Sequence, residues 1–97
     1  MTFDLTHQLV DPDGNPALDE NGKPAEFKKV VGKALLTDTA DNAKSKFERF
    51  ELYLKTKLAG AEVELSAEEA KLIKEAASVY NTFIAGQIAF WTAGKKL

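Results

Sequence analysis

The side chains that could perform acid–base or nucleophilic chemistry are few and scattered along the chain. The 97 residues include one histidine, His7, three serines and no cysteine. A nucleophilic serine needs a base and an orienting acid beside it, and no serine here has a nearby base in the sequence. The lack of cysteine removes thiol nucleophiles, disulfides and cysteine metal sites. We therefore expect no catalytic residues, no cofactor and no small-molecule substrate.

One acidic cluster partly matches a calcium-binding loop. Asp11, Asp13 and Asn15 have the spacing of the first three ligand positions of an EF-hand. The match then ends, because the position that needs glycine is Pro16 and the position that needs a bidentate glutamate is Gly22. Asp and Asn in turns usually accept hydrogen bonds from the nearby backbone. We therefore predict turns here and no metal site.

The elements that position these residues begin with a β-turn region at residues 1–26. Asp13-Gly14 and Asn21-Gly22 are turn signals, and they lie within an eight-residue repeat. The residues before them alternate as in a strand with one buried face; the inward positions are Phe3, Leu5 and Leu9. The pattern predicts a small β-hairpin or a three-stranded meander.

Helical periodicity replaces this alternation at Phe27. The first helix is predicted to end near Thr37, with a core face made of Phe27, Val30, Val31, Ala34 and Leu35. A loop at 38–42, with Asp41 or Asn42 as N-cap, precedes a second helix at about 43–59. Its hydrophobic stripe is predicted to face the core and consists of Ala43, Phe47, Phe50, Leu54 and Leu58.

Two more helices complete the predicted fold. An extended linker at 62–65 precedes Ser66 and Glu69, which form a capping box at the start of the third helix. Asn81 or Thr82 caps the fourth helix, and Gly94 follows its end. We expect one α+β domain at 1–97, with the β-turn region packed on about four helices at 27–94 and a short tail at 95–97.

A set of short motifs runs through these elements: Asp19–Pro24, Ala34-Leu35-Leu36, Val63–Glu68, Leu72-Ile73-Lys74 and Tyr80–Ile88. The combination resembles small, mostly uncharacterised proteins encoded by tailed phages and prophages. The resemblance covers most of the chain, and its motifs are turns, caps and packing faces. It implies a phage origin and a non-enzymatic role, and it supplies no catalytic residues.

A basic row on the second helix suggests a different partner. Lys46, Arg49, Tyr53 and Lys57 fall on one flank, and such a row with an aromatic residue suits the phosphates of nucleic acid. The net charge of −2 and the isoelectric point of about 5.4 argue against a dedicated nucleic-acid-binding protein. Nucleic acid is therefore not the expected partner, and a nucleic-acid-associated role is kept as the alternative.

The fourth helix has no charged residue from Phe83 to Gly94. A helix that is apolar on all sides is normally buried, so one interpretation places it in the core. In the other interpretation its small residues let a second chain approach, and its aromatic residues anchor that chain. This predicts a partner-binding face of Ala85, Gly86, Ala89, Phe90, Trp91 and Ala93.

These patterns predict a non-catalytic protein-interaction protein that forms a homo-oligomer. The resemblance to phage proteins implies that it is phage-encoded and that it would either inhibit a host or defence factor or assist virion assembly. No segment reaches the roughly 20 apolar residues of a membrane span, and the N-terminus lacks the pattern of a signal peptide. We therefore expect no membrane contact and a location in the host cytoplasm, with the virion as the second location considered.

Overall fold

The computed structural model describes residues 1–37 and 43–95. In chain order its elements are β1 (Thr2–Asp4), α1 (Phe27–Thr37), α2 (Ala43–Leu58), β2 (Glu62–Glu64), α3 (Ala67–Ala76) and α4 (Thr82–Thr92). A single 3-10 turn, Ala77–Val79, joins α3 to α4. The predicted α+β fold with four helices is therefore confirmed. The cap candidates Asp41 and Asn42 and the last two residues of the predicted tail lie outside the described residues.

The eight-residue repeat closes into a triangle of backbone hydrogen bonds. The amide of Leu9 donates to the carbonyl of Ala25 at 2.9 Å, that of Ala25 to Ala17 at 2.8 Å, and that of Ala17 to Leu9 at 2.9 Å. Gly14 and Gly22 make the two corners with positive φ values of 84° and 76°, which glycine adopts without strain. The β-turn region thus consists of three short extended segments, each of which pairs with the other two.

The predicted linker at 62–65 forms a second strand. β1 and β2 pair antiparallel, with Phe3 opposite Val63. Both side chains are buried, and the neighbouring positions face solvent. On the solvent side the Thr2 hydroxyl donates to Glu64 Oε2 at 2.6 Å. This long-range pair connects the start of the chain to the segment before α3.

The helices enclose a core built on the predicted face of α1. Four of its five predicted inward residues are buried and Val30 is half-buried. Ser66 and Glu69 form the predicted capping box at the start of α3. The Asn81 side chain accepts from the amide of Ile84 at 3.0 Å and so caps α4. Within the described residues, none of the helices combines the length and the apolar character that crossing a membrane requires.

Candidate functional site

The partner-binding face predicted on α4 is only partly accessible. Gly86, Phe90 and Ala93 are exposed, whereas Ala85 and Ala89 are half-buried. Phe90 has 46% of its surface in solvent, and no atom lies within 4 Å of the position that a Cβ on Gly86 would take. The small-residue side of α4 is thus exposed at Gly86 and Ala93 and half-buried between them in the single chain. That a second chain covers it stays a prediction.

Trp91 does not belong to this face, and its prediction as an anchor for a partner is wrong. The side chain is 2% exposed, and its ring stacks on Phe27 with 5.1 Å between centroids. The centroid of Phe3 lies 4.9 Å away on another side. Its Nε1–H donates to the carbonyl of Asp4 at 2.9 Å. Because both the ring and its donor are satisfied within the chain, Trp91 holds α4 to β1 and α1.

Gln87 is the second attachment between α4 and the N-terminal region. It is 5% exposed. Its Oε1 accepts from the amide of Val10 and its Nε2 donates to the carbonyl of the same residue, both at 2.9 Å. The side-chain amide therefore pairs with the backbone as a neighbouring strand would, which satisfies polar groups that burial would otherwise make costly. α4 is held in the core by these contacts.

The second helix faces the opposite way from the sequence prediction. The stripe predicted to face the core is exposed: Phe47 by 64%, Phe50 by 50%, Leu54 by 36% and Leu58 by 81%. We call these four residues the outer stripe. The side chain of Ala43, the fifth residue of the predicted stripe, lies outside the described residues. The prediction that the outer stripe is core is therefore wrong.

The side of α2 that does face the core has fewer large apolar side chains than the outer stripe, and it is partly polar. Leu52 and Thr56 are buried, and the Thr56 hydroxyl donates to the carbonyl of Tyr53 at 2.9 Å. Tyr53 is half-buried against α1, where a Cβ on Gly32 would lie 3.3 Å from its Cε1 atom. Glycine in a helix interior costs about 1 kcal/mol relative to alanine. At this position it allows the tyrosine ring to lie close to the α1 backbone.

The basic row predicted on α2 is divided in the structure. Lys57 Nζ lies 5.7 Å from the centroid of the Tyr53 ring, so these two side chains are brought together. Arg49 Nη1 donates to the carbonyl of Ser45, one turn back in its own helix, at 3.4 Å. Lys46 is exposed near the N-terminal end of α2. Of the four predicted residues, the contacts therefore bring together only Tyr53 and Lys57.

Lysines of α1 join Tyr53 and Lys57, and the sequence analysis missed them. A cleft of about 590 Å³ between α1 and α2 has four lysines, one glutamate and the tyrosine in its lining: Lys28, Lys29, Lys33, Lys57, Glu20 and Tyr53. We call it the α1–α2 cleft. The sequence signal was present in the three lysines of α1. Their significance depends on α1 and α2 packing side by side.

The acidic turns use their carboxylates for local hydrogen bonds, as predicted. Asp11 Oδ1 accepts from the amides of Asp13 and Asn15 at 3.0 and 2.9 Å. Asp19 Oδ1 accepts from the amides of Asn21 and Lys23 at 2.8 and 3.0 Å. These contacts lower the pKa of Asp19, with the bond from the Lys23 amide as the largest cause. Both carboxylates thus shape the turns.

His7 and Tyr80, two further side chains with acid–base capability, have structural contacts near the core. The His7 ring stacks on Phe27 with 5.2 Å between centroids. The Tyr80 hydroxyl donates to the carbonyl of Val30 at 2.8 Å. Burial, with a smaller contribution from Glu20, raises the pKa of Tyr80 to about 12. The tyrosine therefore stays protonated and acts as a hydrogen-bond donor that links the segment after α3 to α1.

Comparison with known proteins adds no relative from which a role could be transferred. No protein-family model matches the chain, and no curated protein or solved structure shows significant similarity to it.

Proposed function

We propose that the chain is a non-catalytic protein-interaction protein that self-associates through the outer stripe of α2. The observation that carries this proposal is the exposure of Phe47, Phe50, Leu54 and Leu58 on one side of a helix. Together they expose on the order of 400 Å² if a whole aromatic side chain presents about 200 Å². Contiguous apolar patches of this size on soluble proteins often mark sites of interaction.

A second copy of the chain is the occupant that fits the stripe best. α2 has 16 residues and is about 24 Å long. A twofold axis would place the stripe on itself with no charged residue inside the contact. Lys46 lies on one flank and Glu51 on the other, so these two residues can pair between copies when two copies of α2 run in the same direction, although Lys44 and Lys55 share the flank of Glu51. The patch is smaller than the roughly 800 Å² per partner of a standard interface, so we expect micromolar self-association.

Sedimentation of paired variants tests this proposal. We expect the wild-type chain to form dimers at micromolar concentration. The double variant Phe47→Gln/Leu58→Gln should be monomeric with an unchanged helical circular dichroism spectrum, because both side chains are exposed. The matched control is Phe90→Gln, which changes an exposed aromatic residue on α4 and should leave the dimer intact.

Two results would overturn the assignment. A wild-type chain that stays monomeric at the highest soluble concentration would remove the proposed self-association. A dimer that is lost in Phe90→Gln but kept in Phe47→Gln/Leu58→Gln would move the contact to the α4 face predicted from the sequence.

Combined with the resemblance to small tailed-phage proteins, such a binding function leads to two proposed roles. In one the protein inhibits a host or defence factor, and in the other it assists virion assembly. Both roles need an accessible apolar surface and neither needs catalysis, so the outer stripe is compatible with each. Neighbouring genes distinguish them, because virion structural genes would indicate assembly and early genes would indicate action on the host.

A further inference from the structure

We propose that the α1–α2 cleft binds the phosphate of a nucleotide, either free or within a single strand of nucleic acid. This site is separate from the outer stripe and does not depend on self-association. Four lysines and one glutamate line the cleft, although the whole chain has a net charge of −2. A concave surface with this local excess of positive charge concentrates anions.

The two walls of the cleft each present a lysine. On the α1 wall, Lys28 Nζ donates to the carbonyl of Ala59 at 2.6 Å. This bond fixes the ammonium group and leaves its other N–H donors for a ligand. On the α2 wall, Lys57 Nζ lies 5.7 Å from the Tyr53 ring centroid. Both lysines line the cleft, and their ammonium groups are the proposed donors to the phosphate.

Tyr53 is the feature that favours a nucleotide over a simple anion. Its ring is half-buried in the lining of the cleft and lies close to Gly32. Aromatic side chains beside basic residues stack on nucleobases, and this stacking tolerates any base. In the proposed complex the lysines contact the phosphate and the ring contacts the base, and Lys57 Nζ, which lies over the ring in the free chain, moves from the ring to the phosphate.

Glu20 is a built-in competitor for the ligand. Its Oε2 accepts from Lys33 Nζ at 2.9 Å, and both side chains are more than half exposed. Exposed ion pairs of this kind contribute little to stability, so a phosphate can replace the carboxylate. Asp19 adds further negative charge near Lys29, whose positive charge helps to lower the pKa of that aspartate. The net attraction of the cleft is therefore moderate, and removal of Glu20 should increase it.

Calorimetric titration with three probes tests the proposal: inorganic phosphate, a mononucleotide and a short deoxythymidine oligonucleotide. The titrations use the monomeric Phe47→Gln/Leu58→Gln background as well as the wild-type chain, so failure of the self-association proposal does not affect the outcome. We expect the mononucleotide or the oligonucleotide to bind at low salt and to weaken as salt is added. If the oligonucleotide binds no more tightly per nucleotide than the mononucleotide, the ligand is a free nucleotide. If the oligonucleotide binds much more tightly, the ligand is a nucleic-acid strand.

Three variants locate the binding. Lys28→Ala/Lys57→Ala should weaken nucleotide binding about tenfold or more, because two phosphate contacts are lost. Glu20→Gln should tighten binding several-fold without affecting the fold, since Glu20 is exposed. The matched control, Lys71→Ala/Lys74→Ala, removes two exposed lysines of α3 and should change affinity little.

The proposal is overturned if no probe binds at low salt or if only inorganic phosphate binds. It is also overturned if the α3 control weakens binding as much as Lys28→Ala/Lys57→Ala, because the attraction would then be non-specific. An unchanged affinity in Glu20→Gln would likewise contradict binding in this cleft.

Discussion

α2 and α4 differ in where their large apolar side chains lie relative to the core. α4 has no charged residue, yet it is held in the core through Trp91 and Gln87, whose polar atoms bond to the N-terminal backbone. α2 is rich in charge, yet Phe47 and Leu58 on its outer side are mostly exposed. The overall hydrophobicity of a helix therefore does not tell which side meets the core. That side is selected by the groups that other segments offer to it.

The largest expected effect separates the core aromatic residue of α4 from an exposed one on α2. Trp91→Ala should lower the free energy of unfolding by about 3–5 kcal/mol, because it removes a buried ring and its hydrogen bond. Phe47→Ala should change it by less than about 0.5 kcal/mol, as for most surface positions. Urea denaturation at protein concentrations below those at which the chain self-associates measures both values. Similar losses in both would mean that the outer stripe is packed within the chain.

A medium effect is expected from the amide pair that holds α4 to the N-terminal region. Gln87→Leu should cost about 1–3 kcal/mol, because the amide and carbonyl of Val10 lose their buried partners. Hydrogen exchange provides the local readout. The Val10 amide should lose protection, whereas the Leu9 amide, which donates to Ala25, should keep more of it. Equal loss of protection at both amides would show that Gln87 supports the whole β-turn region rather than Val10 alone.

The smallest effect concerns the contact that joins α2 to α3. Lys55 Nζ lies 2.8 Å from Glu69 Oε1. Partial burial raises the pKa of Glu69, but hydrogen bonds from Lys55 and the Ser66 amide outweigh it and keep that pKa below its ordinary value of 4.5. The contribution to stability is thus present above the ordinary pKa and is lost as the pH falls through the lower folded-state value.

Glu69→Gln removes this titration and keeps a capping box, because glutamine can also serve at that position. We expect a loss of less than about 1 kcal/mol at neutral pH and a shallower fall in stability on acidification. The control is Glu75→Gln, which changes an exposed glutamate near the end of α3. If both variants follow the same stability curve against pH, the Glu69 contacts do not stabilise the fold.

The local elements of the fold could be predicted from the sequence. The two glycine turns, the capping box of Ser66 and the cap at Asn81 depend on residues a few positions apart. Their geometry follows from backbone conformation and short-range hydrogen bonds. For the same reason the helical periodicity of α1 correctly identified its buried face.

The orientation of α2 and the α1–α2 cleft could not be predicted in this way. The apolar residues of the outer stripe have the same helical spacing as the residues of a core face, so the spacing alone does not distinguish the two. The buried side packs instead against segments that are distant in sequence, as where Tyr53 lies close to Gly32 of α1. The cleft likewise combines Lys28 with Lys57, which lie far apart in sequence and meet only when two helices pack.

Single-cysteine cross-linking tests the central claim most directly, because the chain contains no cysteine of its own. Leu54→Cys places a thiol within the outer stripe, and Ala89→Cys places one on the small-residue side of α4. Under mild oxidation at micromolar concentration, we predict that Leu54→Cys forms disulfide-linked dimers and that Ala89→Cys remains largely monomeric. Dimers formed by Ala89→Cys and not by Leu54→Cys would contradict the account and assign the contact between copies to α4.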